Sequence, residues 1–192
     1  MADQSGNDIE AKVAELQHQT KYYLAEIKNR LEEFEQPDKA SLLSYFTHTI
    51  IISHDPNQES LCLGSYHITN IGNQSITNPY LCIRIPQELP FSFSGKYVYK
   101  NFKQALKSSD GWERINEKEN SEEFWLKPLG KSTIKPNETI SFSNFQIKWT
   151  PTKSYSGSIM GFTYSDEIKD GIAVINPINL SGSVALQEVQ DE

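Results

Sequence analysis

The chain is poor in the residues that would narrow its chemistry. It has only two cysteines, Cys62 and Cys82, among 192 residues, too few for a disulfide framework. The strand pattern puts both on neighbouring strands of one hairpin. A bridge there would close only a short loop, so two free, partly buried thiols are expected. No stretch approaches the ~18 consecutive apolar residues of a membrane-spanning helix, so no transmembrane segment is expected. Residues 1–10 lack the basic start and apolar run of an export signal, and the expectation is synthesis in the cytoplasm. The sequons at Asn73, Asn137 and Asn179 are then chance matches, because glycosylation requires secretion. Positive charge is also scarce: 18 Lys and Arg stand against 25 Asp and Glu, a net charge of −7. Binding to a nucleic-acid backbone needs clustered cations that displace counterions, so no nucleic acid is expected as a partner.

Signatures of catalysis are missing as well. There is no Gly-x-Ser-x-Gly elbow, and both cysteines lie inside predicted strands. Paired carboxylates occur only as surface runs such as Glu32–Glu33 and Glu122–Glu123. His18, His48, His54 and His67 fall on helix, strand, turn and strand, without the convergent spacing of a metal site. The turns at His54–Asp55 and at Asp166, Glu167 and Asp170 carry the only clustered ligands, and neither completes a calcium-loop pattern. No enzymatic activity, cofactor or metal is expected.

What is present is strong patterning. From Asn7 to Gln36 apolar residues recur at steps of three or four: Ile9, Val13, Leu16, Tyr23, Ile27, Leu31 and Phe34, with Thr20 in phase. That period predicts an amphipathic helix. Asn7 and Glu10 form a capping-box pair at its start, and Pro37 provides the stop. In heptads, Val13, Thr20, Ile27 and Phe34 share one seam position and Ile9, Leu16, Tyr23 and Arg30 the other. The stripe either joins a partner helix or packs on the chain's own core.

After residue 38 the period becomes that of strands. Strands are expected at 42–53, 60–71, 75–85, 111–116, 122–127, from about 139 to 149, and at about 156–164, 171–176 and 181–187. The runs 60–71 and 75–85 read as a hairpin around Gly72-Asn73-Gln74. In the second, Leu81, Ile83 and Ile85 share one face and Tyr80, Cys82 and Arg84 the other, so the apolar set should face a core. In the long strand Phe145, Ile147 and Trp149 are one residue out of phase with Ile140 and Phe142. That slip predicts a bulge near Ser143–Asn144. Between Lys96 and Lys107, the lysines Lys96, Lys100, Lys103 and Lys107 recur at helical steps beside Tyr99, Phe102 and Leu106. The pattern predicts a short amphipathic helix whose cationic side is either a solvated face or a docking surface for an acidic partner.

Three segments carry a resemblance: Thr69–Asn73, Ile83–Pro90 and Gly130–Ile140. Their Asn-x-Gly turn, strand ending at Leu-Pro, and Gly-Lys-Ser-Thr-Ile-Lys-Pro-Asn-Glu turn into an apolar strand resemble DUF11-type and related immunoglobulin-like β-sandwich domains over about residues 60–150. Asn137 stands where such domains often carry Gly, and Asn also tolerates left-handed turns. The resemblance implies a spacer, assembly or binding module without catalytic residues. The expected architecture is mainly β: residues 1–37 form an N-terminal amphipathic helix, and 38–192 an immunoglobulin-like antiparallel β-sandwich. The expected function is a non-enzymatic structural or assembly protein of a bacterial or phage particle, coat or surface layer. It would self-associate or dock through Ile9, Val13, Leu16, Tyr23, Ile27 and Phe34. The alternative is a monomeric cytoplasmic adaptor that binds a protein partner through the sandwich.

Overall fold

The computed structural model describes residues 3–34, with side chains described for 12–29, and residues 40–53, 55, 57–99, 111–117 and 122–183. The chain divides into two compact units, Met1–Lys39 and Ala40–Glu192. The first is one helix, α1 (Asp3–Phe34), about 48 Å long at ~1.5 Å per residue. It begins upstream of Asn7, so the expected capping pair lies inside the helix and not at its start. The expected stop at Pro37 lies outside the described residues.

Among the described residues the second unit holds thirteen strands in chain order: β1 (Leu42–Ile51), β2 (Ser60–Asn70), β3 (Ile76–Thr77), β4 (Tyr80–Arg84), β5 (Ser92–Ser94), β6 (Val98–Tyr99), β7 (Trp112–Arg114), β8 (Glu123–Pro128), β9 (Thr133–Ile134), β10 (Thr139–Trp149), β11 (Tyr155–Tyr164), β12 (Ile172–Ala173) and β13 (Ile178–Gly182). Of the two main sheets the smaller runs β1-β2-β10-β5 and the larger β12-β11-β4-β8-β7-β6 with β13 also on β11, while β3 and β9 form a two-stranded sheet. All pairings are antiparallel except β6 with β7. This is a β-sandwich, because the inward phases of both sheets meet in one core. Phe46, Tyr66, Ile68, Phe142, Phe145 and Ile147 come from the smaller sheet, and Leu81, Ile83, Phe124, Leu126 and Ile159 from the larger.

A few polar groups are sealed into this core and satisfied there. The Thr163 hydroxyl is fully buried, 2.7 Å from Ser44 Oγ and 2.8 Å from Tyr66 Oη, tying the two sheets together. Burial pushes the Tyr66 phenol up to about 12. Arg114, on the inward phase of β7, lies with its guanidinium 4.5 Å from the Phe124 ring centroid and 5.9 Å from those of Tyr97 and Tyr99, and donates from Nε to Asn116 Oδ1 at 3.0 Å and from a terminal nitrogen to Glu117 O at 3.1 Å.

The phase slip in β10 is a bulge. Its register on β2 shifts between Phe142 and Phe145, with Asn144 at φ 59°, and the extra residue lets both aromatic rings face inward. Asn137 also takes a left-handed φ, 62°, in the turn where Glu138 N donates to Lys135 O. Leu81, Ile83 and Ile85 are buried in the core as their alternation requires.

Two sequence expectations fail in the β unit. The runs 60–71 and 75–85 form no hairpin: β2 pairs with β1 and β10, whereas β4 sits between β11 and β8 in the other sheet. The buried Asn70 makes that crossing. Its side-chain Nδ2 donates to Gln74 O at 2.7 Å and Ile134 O at 2.9 Å, and its Oδ1 accepts from Gly72 N. The Asn-x-Gly turn thus steers the chain from one sheet to the other instead of folding it back. Cys62 and Cys82 therefore lie in different sheets, both free and buried. The helix expected from Lys96 is the second failure, since Val98–Tyr99 is extended and pairs with β7. Lys100, Lys103 and Lys107 lie outside the described residues. The last strand ends at Gly182, and 184–187 of the expected 181–187 strand also lie outside them.

Candidate functional site

Two surfaces among the described residues gather apolar or aromatic side chains outside the sandwich core. The first is the α1 stripe. Val13, Leu16, Tyr23 and Ile27 are 46, 59, 60 and 54% exposed, and the flanking Leu24 and Tyr22 are 61 and 63% exposed. Ile9 and Phe34 belong to the same helix, but their side chains lie outside the described ones. Leu24 follows Tyr23, broadening the stripe beyond a two-position seam toward the wider face that bundle helices bury. Thr20, one of two polar members of the seam with Arg30, donates its hydroxyl to Leu16 O at 2.8 Å, so it would enter an apolar interface without leaving an orphan donor.

The second surface is the outward face of the larger sheet, which the sequence alone does not reveal as a site. Register places Phe162, Cys82 and Trp125 in one row across β11, β4 and β8, and Met160, Arg84 and Glu123 in the next. The Trp125 ring centroid lies 5.4 Å from that of Tyr164 and 6.1 Å from Tyr80, while Tyr80 and Tyr164 stack at 5.2 Å. Since β4 separates β8 from β11, Trp125 must reach over the small Cys82 to meet Tyr164. That cover explains why Cys82, on the outward phase, is only 1% exposed.

Polar bonds fix this aromatic cluster. Glu123 Oε2 accepts the Trp125 indole N–H at 2.8 Å, and Glu123 Oε1 accepts from Arg84 Nε at 3.0 Å and the Arg84 terminal nitrogen at 2.7 Å. The Arg84 guanidinium in turn lies 5.5 Å from the Phe162 ring centroid. The indole hydrogen bond first, and the Arg84 pair second, hold the Glu123 carboxyl below the usual carboxylate range. A depressed carboxyl contributes stability that is complete above its unfolded pKa and is lost as pH falls through the folded one. The Trp125 fluorescence should therefore stay constant down through the ordinary carboxylate range and change only below it. An acid titration checks this, with Glu123→Gln expected to abolish the change and Trp125→Phe serving as the blank. A Trp125 signal that moves within the ordinary range would contradict the pinning.

The described titratable groups nearby are buried or paired. Burial pushes the Cys82 thiol up to about 12, with the Glu123 charge adding, and the Cys62 thiol up to about 11. Beside Tyr80 opens a groove of about 570 Å³ bordered by Asn78, Ile115, Lys127, Lys131 and Asp166. Its lysines are paired, Lys127 with Glu113 at 3.3 Å and Lys131 with Glu138 at 2.7 Å. The acidic turn considered for a cation is committed to protein donors. Asp166 accepts from Asn78 Nδ2 at 2.6 Å, and Glu167 accepts the Thr77 N–H and hydroxyl. Among the described residues no three His, Cys, Asp or Glu side chains converge on a metal position. His67 bonds Thr47 and Ser141, His18 and His48 stand on α1 and β1, and His54 lies outside the described residues. Lys96 is exposed between β5 and β6.

The outward alternation of Trp125 against the inward Phe124 and Leu126 was the one sequence signal for this second surface. Reading it also required knowing that β8, β4 and β11 are neighbours.

No known protein family matches the chain, and no curated protein matches it. Among solved structures, it is similar to a GH20 exo-β-N-acetylglucosaminidase from Vibrio harveyi at 11% identity and TM-score 0.30, over 75% of this chain and 18% of that one. It is similar to a GH18 chitinase from Chromobacterium violaceum at 10% identity and TM-score 0.33, over 72% of this chain and 20% of that one. A structural-genomics target, SoR45, matches at 14% identity and TM-score 0.31, over 79% of this chain and 94% of that one. The chain thus spans about a fifth of the two glycosidases. With TM-scores this low, the functional reading rests on the chain's own surfaces. Among the described residues no helix is long and apolar enough to cross a membrane.

Proposed function

We propose that the chain is a non-enzymatic assembly protein that self-associates through α1 and presents its β-sandwich to the assembly. The observation that carries this reading is the helix stripe, with Leu16, Tyr23, Leu24 and Ile27 each more than half exposed. Burying four such side chains is worth about 1.5–3 kcal/mol apiece, enough to overcome the cost of bringing chains together when several copies pool their stripes. The committed carboxylates and raised thiols of the sandwich support a role without catalysis. The DUF11-type resemblance of Thr69–Asn73, Ile83–Pro90 and Gly130–Ile140 supports a spacer or binding role for the same unit. A particle, coat or surface layer of a bacterium or phage is the setting proposed for a chain that combines an amphipathic helix with a β-sandwich.

The test is the mass of the intact chain in solution. Wild-type protein should sediment as an oligomer at about 10 µM, while Ile27→Asp should sediment at that concentration as a single chain with the near-ultraviolet spectrum of its sandwich unchanged. Placing a carboxylate in an apolar seam costs several kcal/mol per copy, so the loss should be complete. If both proteins sediment as single chains, self-association fails, and the adaptor reading takes its place. The pinned Tyr80, Trp125 and Tyr164 cluster would then be its contact surface.

A further inference from the structure

A second association surface lies on the edge of the smaller sheet, and its backbone specifies its occupant. β1 is an edge strand, pairing with β2 on one side only. On its other side Asn176 imitates a neighbouring strand: its Oδ1 accepts the Phe46 N–H at 2.8 Å, and its Nδ2 donates to Phe46 O at 2.8 Å. Ile175 N also donates to Ser44 O at 2.9 Å. Residues 44 and 46 therefore turn their backbone groups away from β2, and by the period of two, so do His48 and Ile50. No described residue bonds the backbone of His48 or Ile50 on that side.

The open half also lacks the devices that guard natural edges. Residues 40–54 contain no Asp, Glu, Lys or Arg and no Pro, and such charges and prolines are what keep edges from pairing with other chains. Ile51 and Ile52 are 61 and 52% exposed, beside Thr47 and Thr49, a β-branched run suited to a pleated partner. The edge is half closed by a side-chain clamp and half left as a strand template.

We propose that this edge pairs with the same edge of a second copy, joining two smaller sheets into one across a two-fold axis. An antiparallel pair of identical strands keeps the sum of paired residue numbers constant, and outward residues must face outward residues. Three frames that satisfy that parity keep both His48 and Ile50 paired within residues 46–52, and setting His48 opposite His48 carries Ile50 against Phe46, whose groups Asn176 already holds. Setting His48 opposite the second copy's Ile50 would carry Phe46 against Ile52, where Asn176 already occupies the Phe46 groups. Setting Ile50 opposite Ile50 pairs His48 with Ile52 and leaves the clamp undisturbed, so this is the frame. It places Ile51 opposite Thr49 on the outer face, a cross-strand contact between β-branched side chains.

The pairing does not depend on α1, so the experiment is run on the full chain carrying Ile27→Asp, which silences the helix stripe. Amide exchange and sedimentation are compared at about 10 µM and about 500 µM, because an association that protects amides must strengthen with concentration. The His48 and Ile50 amides should slow by at least roughly tenfold at the higher concentration while the mass moves toward two chains. His48→Pro removes one outward donor without touching the β2 ladder, and Ile51→Lys installs an edge charge; either should leave one chain at both concentrations. Exchange and mass that do not change with concentration would overturn the proposal, as would a dimer that survives both substitutions. A slowing of those amides only when another protein is added, with no self-association, would also overturn it in favour of a foreign strand. The helix reading is judged separately, by whether Ile27→Asp lowers the mass when Ile51→Lys is already present.

Discussion

Replacing Thr163 with Val should cost the sandwich about 2 kcal/mol, read as a lower urea midpoint with an unchanged slope. Val has nearly the shape of Thr and an equal liking for strands, so neither packing nor propensity accounts for the loss. It comes from the two hydroxyls that lean on Thr163: Ser44 Oγ at 2.7 Å and Tyr66 Oη at 2.8 Å, in residues 1% and 0% exposed. Water cannot reach them, and a buried hydroxyl stripped of a partner costs about 1–3 kcal/mol. The loss should be reversible by removing the remaining polarity. Thr163→Val combined with Ser44→Ala and Tyr66→Phe should recover most of the midpoint, because an apolar trio of the same shape leaves nothing unsatisfied. A single substitution within ~0.5 kcal/mol of wild type would mean that the three hydroxyls do not form a sealed cluster.

The largest effect is expected at Gly161. A Cβ there would overlap the Tyr66 ring and come within 2.7 Å of Val174 and 3.0 Å of Phe46, side chains that are 0, 6 and 2% exposed. None can swing outward, since each is packed between the sheets. Gly161→Val should therefore destabilise by about 3 kcal/mol or more, the upper range for overpacking, and a thermal melt should show a drop of at least ~10 °C for a domain of this size. Val is the sharper choice because it would improve strand propensity. Any loss is then steric. A melt unchanged by Gly161→Val would refute the close approach of β11 to β1 and β2.

Alternation and phase made much of this fold legible before any coordinates. The inward set Leu81, Ile83 and Ile85, the bulge at Asn144 and the long helix each follow from spacing alone, because side-chain period is set by backbone geometry. Pairing is not so encoded. Strand period says which face a residue takes but not which strand lies beside it, so the segment 60–85 reads as a hairpin although Asn70 redirects it between sheets. The site suffered most from this. Trp125, Tyr80 and Tyr164 come from strands far apart in the chain and meet only because β8, β4 and β11 are neighbours, and the small size of Cys82 becomes meaningful only beneath Trp125. The helix stripe, being local, was readable at once. The lysines from 96 onward look helical by spacing, yet Val98–Tyr99 was claimed by pairing with β7, the kind of long-range preference that overrides local propensity.

The order of the strands also sets a timetable during synthesis. β2 is complete at Asn70, but β10, which pairs along its far side from Ser60 to Thr69, begins only at Thr139. At a ribosomal rate of about 5–20 residues per second, β2 waits several seconds with one long flank open, whereas α1 was finished before β1 began. α1 is thus complete while the β unit is still half built. Slower growth at low temperature lengthens that interval, and strand exchange through the open flank of β2 is the failure to watch for during expression.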